Sequence, residues 1–368
     1  MKKTKLFVLA AILCAVSASC NRTTDPDLPN DGEVTLTLDI STMDVEMATK
    51  SSPSVGDEAK INTLDIYVYD MAENLASWHM VDTYMRVENY TEGQKIDVKT
   101  SPGSKRLVVV ANQTVEEANK LLHYEDFWDK EWLYEHNSRG NFLMTFDEFI
   151  DLYFKSNHTV KVTLKRLVAK VQLRKVILNI APQYGEVKLK GAYLHLVPKV
   201  CNSLSEERDD YWQVPSEDWL DEEGYVVIEG YKEDVPENVV DMMTCEGFSG
   251  TVPCSYTWES DGDYTVYPFP NCTFDQGFDV PDLVTKFVIE LEIAGYPTFY
   301  TIGLPGLSAN CFYDIKSVTI NRIGAPERDY YVGNSSISAT AEVNVWEDGE
   351  FKGLFCGTDT GEEGVFVF

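Results

Sequence analysis

The stretch Val160-Lys-Val-Thr-Leu-Lys-Arg-Leu-Val-Ala-Lys-Val-Gln-Leu173 contains a change of phase that divides the chain. Its apolar residues stand at even positions up to Leu164 and at odd positions from Leu167 onwards. Because side chains alternate between the two faces of a strand, a one-residue slip moves all of them to the opposite face. Either a β-bulge lies at Lys165-Arg166, or the chain leaves one sheet there and enters another. Since the segment lies near mid-chain, we favour the second and place a domain boundary near residue 167.

An alternation of apolar and polar residues recurs along much of the chain. Val34, Leu36, Leu38 and Ile40 alternate with Thr and acidic residues, which is typical of a strand buried on one face. Further strands are predicted at 64–69, 107–111, 160–164, 169–178, 187–197, 225–229, 286–293, 298–303, 311–320 and 338–346. Many short strands separated by Gly and Pro turns indicate an all-β fold built from β-sandwiches.

Two short helices are expected among the strands, each beginning with a capping-box pattern. Thr114 and Glu117 begin one helix, whose apolar face is Val115, Ala118, Leu121 and Leu122. Thr145 and Glu148 begin the other, whose apolar face is Phe146, Phe149, Ile150 and Tyr153. We expect both faces to pack on a sheet rather than to bind a ligand.

The length and the net charge of the chain limit the classes of protein to which it can belong. A chain of 368 residues predicts about two domains, and its 44% apolar content excludes a disordered protein. The net charge of −29 argues against nucleic acid or an anionic membrane surface as a partner, because both require clustered Lys and Arg.

The stretch 202–280 is acidic, alternates weakly and carries Trp212, Trp219 and Trp258. We expect it to form a long loop region or a poorly patterned hairpin.

The first 19 residues have the features of a secretory signal. Residues 1–5 are basic, and Leu6–Val16 is an apolar run too short to cross a membrane. Ser17-Ala-Ser-Cys20 resembles a bacterial lipobox, so residues 1–19 are predicted to be removed and Cys20 to carry a lipid. The alternative is an ordinary signal peptide followed by an incidental cysteine. Residues 20–32 are polar and turn-rich, and we expect them to tether the lipid to the fold.

The sequence contains no catalytic motif. A nucleophile elbow, a phosphate-binding glycine loop and a His-Glu-x-x-His helix are all missing, and no Cys/His spacing suggests zinc. We therefore predict that the protein is not an enzyme and has no catalytic residue, metal site or cofactor. Six cysteines follow Cys20, which leaves both disulfides and buried thiols open. They are Cys201, Cys245, Cys254, Cys272, Cys311 and Cys356.

Several segments resemble the fimbrillin family, the type V pilus subunits of Bacteroidales. The resemblance covers most of the chain except 202–280, and the order and spacing of the segments carry it. In chain order they are the strand at 33–40, Ala59–Asp70, Leu107–Asn112, Val162–Val171, Asn310–Ile315 and Val343–Trp346.

The family resemblance implies a fold and a processing step. The implied fold is two tandem transthyretin-like Greek-key β-sandwich domains, at 33–167 and 168–368, with 202–280 inserted in the second. It also implies export as a lipoprotein and cutting by a trypsin-like protease in the loop after the first strand. Lys50 occupies that place, within a Ser/Pro/Gly-rich stretch, so the predicted cut lies between Lys50 and Ser51.

Such a cut would release the first strand. Its loss would strip Val34, Leu36, Leu38 and Ile40 from the first sandwich and leave unpaired backbone groups. A groove of this kind should capture a strand from a neighbouring subunit, and a head-to-tail contact that does not close on itself makes a filament. The candidate donor is Val365-Phe366-Val367-Phe368, and its alternative role is the last strand of its own domain.

The leading interpretation is a shaft or tip subunit of a surface fimbria that serves adhesion. Its expected partners are other fimbrial subunits, a trypsin-like processing protease and a host glycan or protein receptor. Its expected location is the outer membrane as a lipoprotein, then the cell-surface fimbrium. The alternative is a monomeric surface lipoprotein that binds glycans through exposed aromatic residues of 202–280, although large rings in such a region usually serve as buried anchors.

Overall fold

The computed structural model describes fourteen ranges of the chain, and all structural statements concern them. They are residues 33–42, 55–71, 79–128, 130–133, 136–154, 157–198, 200–202, 239–244, 247–260, 264–270, 285–304, 307–328, 337–345 and 365–367.

The first part of the chain forms eight strands and three short helices within these ranges. The strands are β1 (Val34–Thr42), β2 (Thr63–Asp70), β3 (Val81–Glu88), β4 (Lys95–Thr100), β5 (Gly103–Ala111), β6 (Glu131–Leu133), β7 (Met144–Leu152) and β8 (His158–Arg166). The helices are α1 (Val55–Glu58), α2 (Val115–Ala118) and α3 (Tyr124–Trp128).

The remainder of the described chain is also mainly strand. Its strands are β9 (Lys170–Leu173), β10 (Lys175–Asn179), β11 (Glu186–Pro198), β12 (Val200–Asn202), β13 (Val239–Thr244), β14 (Gly250–Pro253), β15 (Ser255–Glu259), β16 (Thr265–Val266), β17 (Lys286–Ile293), β18 (Tyr296–Gly303), β19 (Cys311–Ile320), β20 (Ile337–Val345) and β21 (Val365–Val367). A 3-10 turn covers Pro182–Tyr184. The predicted all-β class is confirmed.

The first sheet has the strand order β3-β2-β5-β7-β8-β1-β4. Strand β5 lies inside it and is buried on both faces from Leu107 to Ala111, because helical segments cover the face opposite the core. Two tyrosines of β2 hold these helical segments in place. The hydroxyl of Tyr67 donates to the carbonyl of Ala118 at 3.0 Å, and that of Tyr69 donates to the carbonyl of Leu121 at 3.3 Å. This explains why β5 is a continuous apolar run rather than an alternating one.

Most of the strands after β8 form two further sheets. One has the order β15-β10-β19-β20-β21, with β9 and β16 attached, and the other has the order β13-β11-β17-β18, with β14 paired to β11. A small sheet of β12 and β6 joins the two parts of the chain through the pair Cys201 and Trp132.

The buried apolar side chains fall into two clusters that meet where the phase changes. The first extends from Val34 to Val168 and adds Cys201 and Phe269, and the second extends from Ala169 to Ala339. Strand β8 ends at Arg166 in the first sheet, and β9 begins at Lys170 in the second. The chain therefore leaves one sheet and enters another between these residues.

One of the two predicted helices is present. At the start of α2, the Thr114 hydroxyl and the Glu117 carboxylate form the reciprocal capping box. The expected apolar face is buried only in part, since Ala118 and Leu121 are buried but Val115 and Leu122 are more than half exposed.

The prediction of a helix after Thr145 was wrong. Residues Met144–Leu152 form β7, which pairs with β5 over nine consecutive residues from Gly103 to Ala111. The neighbouring strand supplies backbone partners for the whole segment, and this outweighs a local Thr-x-x-Glu capping signal.

The stretch 202–280, expected to form a long loop region or a poorly patterned hairpin, contains more strand than expected. Strands β13, β14, β15 and β16 lie in this stretch and pair with β11, β10 and β9. Residues 203–238, including Trp212, Trp219 and the strand predicted at 225–229, lie outside the described residues.

Candidate functional site

Strand β1 lies between two partners near one end of the first sheet. It pairs antiparallel with β4 from Val34 to Asp39, and parallel with β8 from Leu36 to Thr42. Within the described residues, β4 has no ladder partner other than β1. Strand β8 keeps two pairs with β7, Met144 with Arg166 and Thr145 with Lys165. Loss of β1 would therefore open a groove with a strand on each side.

The inward face of β1 is apolar and buried. Val34, Leu36, Leu38 and Ile40 are at most 4% exposed, and all belong to the first cluster. Their cross-strand neighbours on β4 include Ile96 and Val98, which are also buried. All four residues predicted for the displaced strand thus share one face.

The opposite face of β1 is polar and weakly held. The Thr37 hydroxyl donates to Asp97 on β4 at 2.7 Å, and Lys99 pairs with Glu33 at 2.9 Å in an exposed salt bridge. At the far end of β1, the Tyr90 hydroxyl donates to the carbonyl of Ile40 at 3.0 Å. Exposed pairs contribute little to stability, so the two backbone ladders and the buried face hold β1 in the sheet.

Helix α1 is the first described element after β1, and it is anchored at the meeting point of the two clusters. The Glu58 carboxylate accepts from Lys170 at 2.8 and 3.0 Å and from the Tyr267 hydroxyl at 2.5 Å. The Arg166 guanidinium donates to the Glu58 carbonyl at 2.9 Å. Residues close to the β8–β9 connection therefore hold α1. The sequence carried no signal for Glu58, because its partners are more than 100 positions away.

A second charged cluster joins β3 to β4. The Asp82 Oδ2 atom accepts from the Thr100 hydroxyl at 2.6 Å, from the Ser101 hydroxyl at 2.7 Å and backbone N–H at 3.1 Å, and from Lys105 at 3.0 Å. Burial raises the pKa of Asp82, but these hydrogen bonds outweigh it and lower the pKa to about 2. We call Asp82, Thr100, Ser101 and Lys105 the β3–β4 clamp.

The candidate donor strand lies at the other end of the chain. Val365, Phe366 and Val367 form β21, which pairs antiparallel with Glu342, Ala341 and Thr340 of β20 at the edge of its own sheet. This placement corresponds to the alternative role, the last strand of its own domain. Phe368 lies outside the described residues, as do Cys20, Lys50 and Ser51.

The described part of the insertion holds its aromatic rings inward. Trp258 packs edge-on against Phe248 and Tyr264, with ring centroids 5.1 and 5.0 Å away, and lies against the second cluster. This ring therefore anchors β15 rather than forming an exposed platform.

The cysteines and acidic groups in the described ranges are the remaining candidates for metal ligands. No set of three or more His, Cys, Asp or Glu residues there is placed to hold a metal ion. The buried Cys254 thiol donates to the carbonyl of Gly185 at 2.7 Å. Cys245, Cys272 and Cys356 lie outside the described residues. None of the helices in the described ranges has the length and hydropathy of a transmembrane segment.

The sequence comparisons find similarity to one protein family over part of the chain. The family model described as the major fimbrial subunit protein (FimA) matches residues 33–145. This range includes β1 and the acidic residues Glu58 and Asp82. No curated protein sequence matches the chain.

Solved structures share the fold at low sequence identity. A candidate cell adhesion protein from Parabacteroides distasonis has a TM-score of 0.59 and 13% identity, covering 86% of this chain and 97% of that one. A fimbrilin (FimA) from Porphyromonas gingivalis has a TM-score of 0.55 and 16% identity, covering 85% and 98%. The tip fimbrial protein Mfa3 from Porphyromonas gingivalis has a TM-score of 0.51 and 12% identity, covering 86% and 100%. The expected resemblance to fimbrillins is therefore confirmed, by the family model over residues 33–145 and by the fold over most of the chain.

Proposed function

We propose that the chain is a structural subunit, shaft or tip, of a cell-surface type V fimbria that serves adhesion, with other fimbrial subunits as its partners. The observation that carries the proposal is the position of β1. It fills a slot between β4 and β8 with four buried apolar side chains, so a strand of another subunit with the same alternation could take its place.

Assembly in this proposal begins with export and processing. Residues 1–19 are removed, Cys20 carries the lipid at the outer membrane, and residues 20–32 form the tether. A trypsin-like protease then cuts between Lys50 and Ser51, which separates β1 from α1 without breaking the contacts of Glu58. The anchoring of α1 at the junction supports this order of events, because the new N-terminal end stays attached to the body.

Two features support the rest of the scheme. The two hydrophobic clusters support a division near residue 167 into two transthyretin-like domains, 33–167 and 168–368. Among the described residues β21 pairs only with β20, and this edge position supports Val365–Phe368 as a donor, because a strand with one ladder partner is released more easily than one with two.

The test is the fate of the N-terminus and the size of the exported protein. Mass spectrometry of protein from the cell surface should find Ser51 as the first residue in polymers, and Lys50→Ala should leave monomers that retain Cys20 and its lipid. Deletion of 364–368 should abolish polymers while leaving the cut intact. Polymers of normal length from Lys50→Ala would refute the processing step, and normal polymers from the deletion would refute the donor assignment.

A further inference from the structure

Strands β3 and β4 end the first sheet on opposite sides, yet they lie next to each other in space. The Thr83 hydroxyl on β3 donates to the carbonyl of Lys99 on β4 at 3.1 Å, and the β3–β4 clamp lies beside this contact. Within the described residues these two strands share no backbone ladder. Side chains therefore close the sheet where a ladder is missing.

The Asp82 side chain reaches β4 because of a β-bulge. Val68 of β2 pairs with Thr83, whereas the next residue, Tyr69, pairs with Val81, so Asp82 is the extra residue. A bulge changes the direction in which a side chain points. The Asp82 side chain is 26% exposed, and its partner Lys105 is 1% exposed at the end of the buried core.

Lys105 connects the clamp to the centre of the sheet. Its ammonium lies 3.0 Å from Asp82, 2.7 Å from the Ser101 hydroxyl and 3.7 Å from Asp70 of β2. Lys105 belongs to β5, which pairs with β2 and β7 along its length. The clamp therefore ties the end of β4 to strands that do not depend on β1.

Removal of β1 affects the two walls of the groove unequally. Strand β8 retains its pairs with β7, whereas β4 retains no ladder in the described part of the molecule. In the described residues β4 is then held by its buried face, the short connection to β5 at residues 101–102, the hydrogen bond from Thr83 to Lys99 and the clamp. An unsupported edge segment of six residues would lose its order and with it the shape of the groove.

We infer that Asp82 and its partners Thr100, Ser101 and Lys105 are positioning residues that keep β4 in place as a wall of the groove while β1 is absent. The inference rests on the proposed replacement of β1. It assigns the clamp a role in accepting a strand, beyond its contribution to the stability of the intact fold.

The experiment uses the full chain with a site-specific protease sequence inserted after Lys50. After cutting, a fluorescent synthetic peptide of residues 33–42 is added in excess, and its binding to the protein is measured by anisotropy and size-exclusion chromatography. Asp82→Asn is compared with Asp147→Asn as the matched control. Asp147 is a partly buried carboxylate of β7, which β8 and β1 separate from β4 in the strand order, and it is bound by Arg106 and Tyr124.

We expect both variants to lower the melting temperature of the uncut protein, but only Asp82→Asn to weaken peptide uptake. The expected loss is about ten-fold, because replacing a charged hydrogen-bond acceptor by a neutral one costs about that factor in an equilibrium. Thr100→Val, which removes one donor and retains the shape, should give a smaller loss in the same direction and serves if Asp82→Asn fails to fold.

The outcomes separate the inference from the proposed function. If the cut wild-type protein takes up no peptide, replacement of β1 is wrong and the inference falls with it. If the cut wild-type protein takes up peptide and the Asp82→Asn and Thr100→Val variants do so equally well, the inference alone is wrong. The inference is also overturned if Asp147→Asn reduces uptake as much as Asp82→Asn.

Discussion

Replacement of Leu38 by alanine tests whether the buried face of β1 holds the first part of the fold together. Leu38 is 0% exposed and lies between Ile96 on β4 and Val160 on β8. A buried Leu→Ala change leaves a cavity and costs about 2–5 kcal/mol of unfolding free energy. The four inward residues together contribute roughly 6–12 kcal/mol, an upper estimate because unfolded chains are partly compact.

The assay is urea unfolding of the full chain, followed by circular dichroism and by hydrogen exchange of peptides from β5 and β17. Leu38→Ala should lower the stability reported by β5, in the first cluster, by about 2–5 kcal/mol and leave β17, in the second, largely unchanged. Thr35→Ala is the control, because Thr35 is exposed on the same strand; it should cost less than about 1 kcal/mol.

A loss below about 1 kcal/mol for Leu38→Ala, or an equal loss from Thr35→Ala, would refute the reasoning. In either case the buried face of β1 would not be what retains it, and its release would not create the vacancy on which assembly depends. A loss of the same size at β17 would show instead that the two clusters unfold as one unit.

Three further predictions concern other parts of the molecule. Glu58→Gln should cost about 2 kcal/mol in urea unfolding, because it removes the charged partner at the junction of the clusters. Burial raises the pKa of Glu117, but the hydrogen bond and charge of Lys130 outweigh it and leave the pKa below its usual range; the stability difference between wild type and Glu117→Gln should be full near neutral pH and shrink below about pH 4.5. Gly324→Ala should cost about 1–3 kcal/mol, because an added Cβ would lie 2.3 Å from the carbonyl oxygen of Phe299.

Each of these has a control in the same chain. Glu259→Gln removes an exposed partner of Lys175 and should be nearly neutral, so an equal effect would contradict the role of Glu58. Gly191→Ala meets only ordinary contacts at 3.6 Å and should be tolerated, so a greater loss there than at Gly324 would contradict the steric argument. A pH-independent effect of Glu117→Gln would contradict the pKa argument.

The strands predicted from alternation were mostly found because one buried face dictates a period of two. Strands β1, β2, β17 and β19 follow their predicted bounds closely. The phase change was informative for the same reason, since Leu164 and Val171 are buried in different clusters. Where the burial of one face determines which positions are apolar, the strand can be predicted from the sequence alone.

The wrong predictions concern segments whose structure depends on residues that are distant in the sequence. Thr145 and Glu148 match a helix start, but β5 lies alongside and makes the segment a strand. Strand β13 alternates weakly, yet it pairs with β11 across a separation of more than 40 residues. Asp82 carries no local signal at all, because its importance depends on a bulge opposite Val68 and on β4 arriving beside it.

The mixed pairing of β1 has a consequence for polarity. Because β1 runs parallel to β8 and antiparallel to β4, the two walls run in opposite directions. Any incoming strand, whichever way it points, meets one parallel and one antiparallel neighbour. Backbone hydrogen bonding therefore scarcely discriminates between the two directions of an incoming strand. The size and charge of the side chains along the groove then determine which direction is preferred.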